Sequence, residues 1–202
     1  PEDFTSQKPV VDSEAKKRSG RMFSILRLMD MAQPNPAHYA IAELDKLGKL
    51  DCVITQNVDG LHQKAGVPDE KVIELHGTLN FVKCMSCDKR YPIADIAKKL
   101  EEGVDEPVCE ECGGILRSAT ISFGEPMPDT ERAEAQRRSR DCDLMLVLGS
   151  SLVVYPAAYI PLYAKQAGAK LAIINMGTTP MDNYSDVHIN AKVGEVLPRI
   201  IE

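Results

Sequence analysis

The sequence predicts an α/β fold: a doubly wound parallel sheet with helices on both faces, interrupted by a small cysteine-rich insert. Two observations carry this. Short apolar runs alternate with longer amphipathic segments, the rhythm of parallel strands joined by crossover helices. Over 78–118 that rhythm breaks, and four of the six cysteines fall there in two Cys-x-x-Cys pairs. The elements read as follows, in chain order.

Residues 1–19 are polar, carry Pro1 and Pro9, and read as an arm. Over 21–31, Met22, Ile25, Leu26 and Met29 recur at helical spacing, and Gln33-Pro34-Asn35-Pro36 ends that helix. A second helix spans 37–47 and stops at Gly48. Residues 51–55 form a short buried strand running into the polar loop Gln56-Asn57-Val58-Asp59-Gly60. Residues 71–75 are extended and end at His76-Gly77. A charged helix over 129–140 follows Pro128. Residues 143–148 read as a fully buried strand, with Gly149-Ser150-Ser151 after it. A helix over 157–167 is stopped by Gly168. The strand 170–174 leads into Asn175-Met176-Gly177, a last strand covers 187–189, and a helix covers 194–201.

Net charge −6 argues against a nucleic-acid binder, which needs concentrated Lys and Arg. An acidic surface attracts basic protein segments, although solubility alone also accounts for it. No apolar run approaches the ~20 residues of a bilayer span, and Pro1-Glu2-Asp3-Phe4 does not open a signal peptide. Paired cysteines without a disulfide framework imply a reducing compartment, the cytoplasm, or the nucleus of a eukaryote. A monomer is expected.

Cys84-Met85-Ser86-Cys87 and Cys109-Glu110-Glu111-Cys112 bring four thiolates to one tetrahedral ion, with Gly113-Gly114 allowing a tight turn beside it. The pattern resembles a zinc ribbon. Four thiolates leave no open position, so this zinc is structural and folds a module too small for its own core. Cys52 and Cys142 read as small core hydrophobes.

In an open parallel sheet, ligands bind at the carboxyl ends of the strands. Three strand ends here carry polar or small residues: Gln56, Asn57 and Asp59; Gly149, Ser150 and Ser151; and Asn175 with Gly177. Together they suit a nucleotide, since amides, hydroxyls and backbone N–H groups can hold ribose and phosphate. His76, beside Gly77, reads equally as a general base and as a satisfied hinge histidine. His62 reads as structural, and His38 and His188 as belonging to no constellation.

Several segments match one family in its order. Thr55-Gln56-Asn57-Val58-Asp59-Gly60-Leu61-His62-Gln63-Lys64-Ala65-Gly66 resembles the sirtuin signature loop, and Glu74-Leu75-His76-Gly77 its catalytic histidine motif. The four cysteines, Ser122-Phe123-Gly124-Glu125-Pro126-Met127-Pro128, Gly149-Ser150-Ser151-Leu152-Val153-Val154-Tyr155-Pro156 and Ile174-Asn175 complete the set, over residues 34–202. The resemblance implies a Rossmann-like NAD-binding domain over 1–77 and 119–202, with a zinc domain over 78–118. It implies NAD-dependent removal of acyl groups from protein lysines, releasing nicotinamide and O-acyl-ADP-ribose. His76 would activate a ribose hydroxyl. Gln56, Asn57, Val58 and Asp59 would hold the nicotinamide and ribose, and Gly149, Ser150, Ser151, Asn175 and the backbone of Lys192 the phosphate and adenosine. An acyl-lysine peptide would add as a strand against Ile121, Phe123, Gly124, Val153 and Val154.

The sequence departs from the family pattern in two places. The family's opening strand, Gly-Ala-Gly loop and Pro-Asp-Phe-Arg motif are not found, so the chain reads as an N-terminally incomplete domain, with an inactive acyl-peptide-binding module as the alternative. The helix over 21–31 lacks the Tyr-x-x-Arg pair of sirtuins that favour acidic acyl groups, which points to an uncharged acyl group.

Overall fold

The computed structural model describes residues 31–122 and 124–201. The arm over 1–19, the body of the expected helix over 21–31, and Phe123 lie outside the described residues. The elements are α1 (Pro36–Lys46), β1 (Val53–Thr55), α2 (Leu61–Lys64), β2 (Val72–Glu74), β3 (Gly77–Cys84), β4 (Arg90–Pro92), α3 (Ile93–Glu101), β5 (Leu116–Thr120), α4 (Asp129–Asp141), β6 (Leu144–Leu148), α5 (Ile160–Gln166), β7 (Lys170–Ile174), β8 (Val187–Ile189) and α6 (Val193–Ile201). They fall into two compact units, one of 32–78 with 120–201, the other containing 79–119.

In the larger unit β1 pairs in parallel with β2, and β6, β7 and β8 form a parallel sheet in that order. Successive strand residues point to opposite faces, which sorts the side chains into two layers. Val53, Leu148 and Ile174 pack with Ala37, Ala40 and Ile41 of α1 and Leu197 of α6. Their neighbours Ile54, Val147 and Ile173 face the other way. Ile54 meets Ala135 of α4 and Ile160 of α5, while Val147 and Ile173 meet Ala158 and Leu162. Helices therefore cover both faces, as a doubly wound arrangement requires.

Local chemistry fixes the element ends. Asn35 Oδ1 accepts from the N–H groups of Ala37 and His38 at 2.9 and 3.3 Å, while His38 Nδ1 accepts from Asn35 N–H at 3.2 Å. This reciprocal cap starts α1, with Pro36 in its first turn. The helix expected over 157–167 begins instead as a 3₁₀ turn, Ala157–Tyr159, and becomes α-helical only at Ile160. Pro161 accounts for the boundary, because proline lacks an N–H and fits only the first helical turn.

The strand β6 is not fully buried as its apolar run suggested. Val147 is buried, but Leu144 is 52% exposed. Among the described residues β6 is an edge of its sheet, with β7 as its strand partner. The same holds for β1, where only Thr55 is buried.

The smaller unit is a three-stranded sheet, order β4-β3-β5, with β3 and β4 antiparallel. Val82 packs against Ile93, Ile96 and Leu100 of α3, and Leu116 of β5 joins them. No helix is long and apolar enough to cross a membrane among the described residues.

Candidate active site and metal centre

The metal centre is built on two turns. Cys84 ends β3 and Cys87 lies in the turn after it; Cys109 and Cys112 lie in a second turn before β5. Sulfur separations are 3.5 Å for Cys84–Cys112, 3.6 Å for Cys87–Cys109 and 3.5 Å for Cys87–Cys112. All four Sγ atoms lie within 4.8 Å of one another. Tetrahedral zinc with ~2.3 Å bonds needs sulfurs about 3.8 Å apart, so the donor set fits that ion. All six cysteines are free of disulfides. Ser86 N–H donates to Cys84 Sγ at 3.3 Å, and the Tyr91 hydroxyl lies 3.1 Å from Cys109 Sγ. The Tyr91 contact draws the Cys109 thiol down to about 6, against the effect of burial, which favours the thiolate a metal binds. A Cβ on Gly114 would lie 2.7 Å from Cys84 Sγ and 2.7 Å from Ser86 Oγ, so only glycine lets the second turn approach the first.

In the larger unit His76 follows β2. Its Nδ1 lies 3.1 Å from the Gln56 carbonyl. A carbonyl only accepts, so Nδ1 is the donor, and in the neutral ring this selects the tautomer with Nε2 as acceptor, the one a general base needs. The His76 carbonyl in turn accepts from Ile121 N–H at 2.9 Å. Gln56, His76 and Ile121, expected to serve cofactor, catalysis and substrate respectively, are thus joined in one hydrogen-bonded chain.

The loop after β1 is tied to its own backbone. Thr55 Oγ1 accepts from Asn57 N–H and Asp59 Oδ1 from Leu61 N–H, both at 3.0 Å. Gly60 adopts φ +66°. The Asn57 side chain is exposed and Val58 half-buried. In the other sheet Gly149, at φ +60°, donates to the Ile174 carbonyl at 2.9 Å, so Gly149 and Asn175 lie side by side at the ends of β6 and β7. Asn175 Nδ2 donates to the Gly177 carbonyl and Asn190 Oδ1 accepts from Gly177 N–H, each at 3.2 Å. Lys192 pairs with Glu195 at 3.2 Å, and its carbonyl accepts the first N–H bonds of α6. Half-buried to exposed amides, hydroxyls and glycine backbone, with one carboxylate as acceptor, stand at these strand ends and are groups that fit a dinucleotide.

Leu152 holds φ +54° although it is not glycine, and is 4% exposed. That left-handed residue, whose N–H donates to Ser150 Oγ at 3.3 Å, drops its side chain into the core and turns Val153, Val154 and Tyr155 outward. Gly124 is exposed at φ +89°, in a turn where Glu125 Oε2 accepts from Ser122 N–H at 2.9 Å.

His38 does belong to a constellation, contrary to the sequence reading. Its ring centroid lies 4.8 Å from that of His62, because the α1 cap places it against α2. Burial lowers both imidazoles, His62 to about 4, with the Asp59 carboxylate opposing. His188 Nε2 similarly lies 3.8 Å from Asp182 Oδ1. Sequence reasoning also missed the anchoring of α2: Gln63 Nε2 donates to Glu74 Oε1 at 3.3 Å and Lys64 Nζ to the Ala32 carbonyl at 2.8 Å. Gln63 and Glu74 lie within the two motifs, but no spacing pattern announces their contact.

A family model described as Sir2 family matches residues 1–156. The NAD-dependent protein deacylase 2 of Archaeoglobus fulgidus is 46% identical over 172 residues, 85% of this chain and 67% of that protein. The NAD-dependent protein deacetylase of Caldivirga maquilingensis is 48% identical over 176 residues, 87% of this chain and 66% of that protein. The chain therefore spans about two thirds of the length of these relatives. A solved structure described as Sir2 with a p53 peptide and NAD+ superposes with a TM-score of 0.80 at 40% identity, over 99% of this chain and 85% of that one. With the matched region covering well over half of its length, this chain belongs to the Sir2 family.

Proposed function

We propose that this protein removes acetyl or other uncharged acyl groups from protein lysines, consuming NAD and releasing nicotinamide and O-acyl-ADP-ribose. The single observation that carries the reading is the Nδ1 contact of His76 to the Gln56 carbonyl, which leaves Nε2 free as a base beside the expected cofactor loop. NAD supplies an activated ribose carbon and a leaving nicotinamide when bound. Gln56, Asn57 and Asp59 hold the nicotinamide and ribose portion, and Gly149, Ser150, Ser151, Asn175 and Lys192 the phosphate and adenosine portion. His76 Nε2 takes a proton from a ribose hydroxyl. Ile121, Phe123, Gly124, Val153 and Val154 present an extended surface to the acyl-lysine peptide, whose main chain supplies the bonds. Relatives described with an acetylated peptide, a propionylated peptide and a 3′-O-acetyl ADP-ribose support the choice of acyl group and product. The two Cys-x-x-Cys pairs, a metal pattern and not a disulfide framework, support a cytoplasmic setting.

The test is mass-spectrometric detection of nicotinamide and deacylated peptide on adding NAD and an acetyl-lysine peptide. In the full-length protein, turnover of acetyl- but not succinyl-lysine peptide is expected, and His76→Ala should lower turnover on the order of 10²–10⁴-fold. Undiminished turnover in His76→Ala, or preference for succinyl-lysine, would overturn the assignment.

A further inference from the structure

We propose that the Tyr91 hydroxyl is a positioning group of the metal centre, donating its proton to Cys109 Sγ and holding that sulfur and its turn ready for the ion. The direction of the bond follows from the partners. Glu110 N–H, which can only donate, lies 3.1 Å from the Tyr91 hydroxyl oxygen. The oxygen is therefore the acceptor there, and its one proton is left for Cys109 Sγ at 3.1 Å. The ring is fixed as well. Tyr91 stands opposite Val82 in the β3–β4 register and packs against the core formed by Val82, Ile96 and Leu116.

The rest of the second turn is anchored around this contact. The Glu110 carboxylate pairs with Lys99 of α3, and the Glu111 carboxylate with Lys89 at 2.7 Å. Zinc with four thiolates carries a net charge of about −2, so two unpaired glutamates beside it would add repulsion. The lysines offset that charge. The first turn needs less: Ser86 N–H meets Cys84 Sγ, and Cys84 N–H meets the Lys89 carbonyl at 2.8 Å, all backbone donors. Cys109 also has backbone partners in its own turn, at Glu111 and Cys112, and adds to them a side-chain donor from β4. Groups that hydrogen-bond to metal ligands orient them and typically change metal affinity 10–100-fold when removed.

The experiment uses the full protein loaded with Co²⁺ in place of zinc, together with the zinc form challenged by a competing chelator. Without the hydrogen bond, the Cys109 sulfur gives up electrons more readily. In Tyr91→Phe the sulfur-to-cobalt charge-transfer band should move to longer wavelength, and zinc transfer to the chelator should quicken 10–100-fold. Incorporating 3-fluorotyrosine at position 91, a stronger donor of nearly the same size, should move the band the opposite way and keeps the proposal testable if the Phe variant takes up no metal. A band unmoved by fluorotyrosine, or zinc transfer at the parent rate in Tyr91→Phe, would overturn the proposal. Tyr184→Phe, in the other unit, should leave both readouts alone.

Discussion

At Gly114 one methyl group decides whether the metal centre can close. An alanine there would press its Cβ to 2.7 Å from a ligand sulfur, inside any normal contact. Gly114→Ala should therefore cut zinc content of the purified protein to well below one equivalent, measured by metal analysis. Gly113→Ala meets nothing within 4 Å but sits at φ +69°, so it should cost only about 1 kcal/mol of backbone strain and keep its zinc. The four cysteines and Gly113-Gly114 were legible in sequence because metal spacing is local. For His76 the motif was readable, but which ring nitrogen faces the Gln56 carbonyl, 20 residues away, was not. The His38–His62 contact was not legible, since it is made by two helices whose packing no local pattern encodes.

Elements shorter than a stable helix are held by what surrounds them, and α2 is such a case. Its four residues could not persist alone. Asp59 caps its start, His62 lies on His38, Gln63 reaches Glu74 and Lys64 reaches the Ala32 carbonyl, so each fixes the loop bearing Gln56, Asn57 and Asp59. The buried imidazole of His62 makes this support pH-sensitive. Its folded value, about 4, lies below the ordinary 6.5. The unfolded chain therefore binds more protons between those values, and stability must fall as pH drops from about 6.5 towards 4. His62→Asn should remove that dependence. In urea titrations at pH 7 and pH 5, the parent should lose on the order of 1–2 kcal/mol more than the variant, a figure reduced for partial solvent access. Elsewhere, periodicity served some elements and failed others. The strands β7 and β8 were read with their observed bounds. Helix α3 was passed over although Ile93, Ile96 and Leu100 carry its spacing, because the cysteines around it drew the whole segment into one reading. An apolar run such as 144–148 gives the same signal at a sheet edge as in its centre.

For the whole molecule, the two units rest on different sources of stability. The larger one has apolar layers on both faces of its strands. The smaller has one cluster that includes two of the metal ligands, Cys84 and Cys109. Chelation should thus unfold 79–119 first. Limited proteolysis of chelator-treated protein should cut within 85–115 while a fragment of the larger unit's helices and strands survives, and added zinc should restore protection. Strand–helix alternation and paired cysteines belong to different architectures, and each pattern occupies its own stretch of the sequence.

The smaller unit leaves and re-enters the larger through β3 and β5, which are neighbours in one sheet. Its two ends therefore stay a strand's width apart whatever lies between them. Closing a loop costs only about 0.6 kcal/mol more for each doubling of its length. The exposed turn over 102–106, between α3 and Cys109, is accordingly free to lengthen or carry new surface while β3, β4, β5 and α3 keep their packing, which makes it the natural graft point for adding a recognition module to the protein.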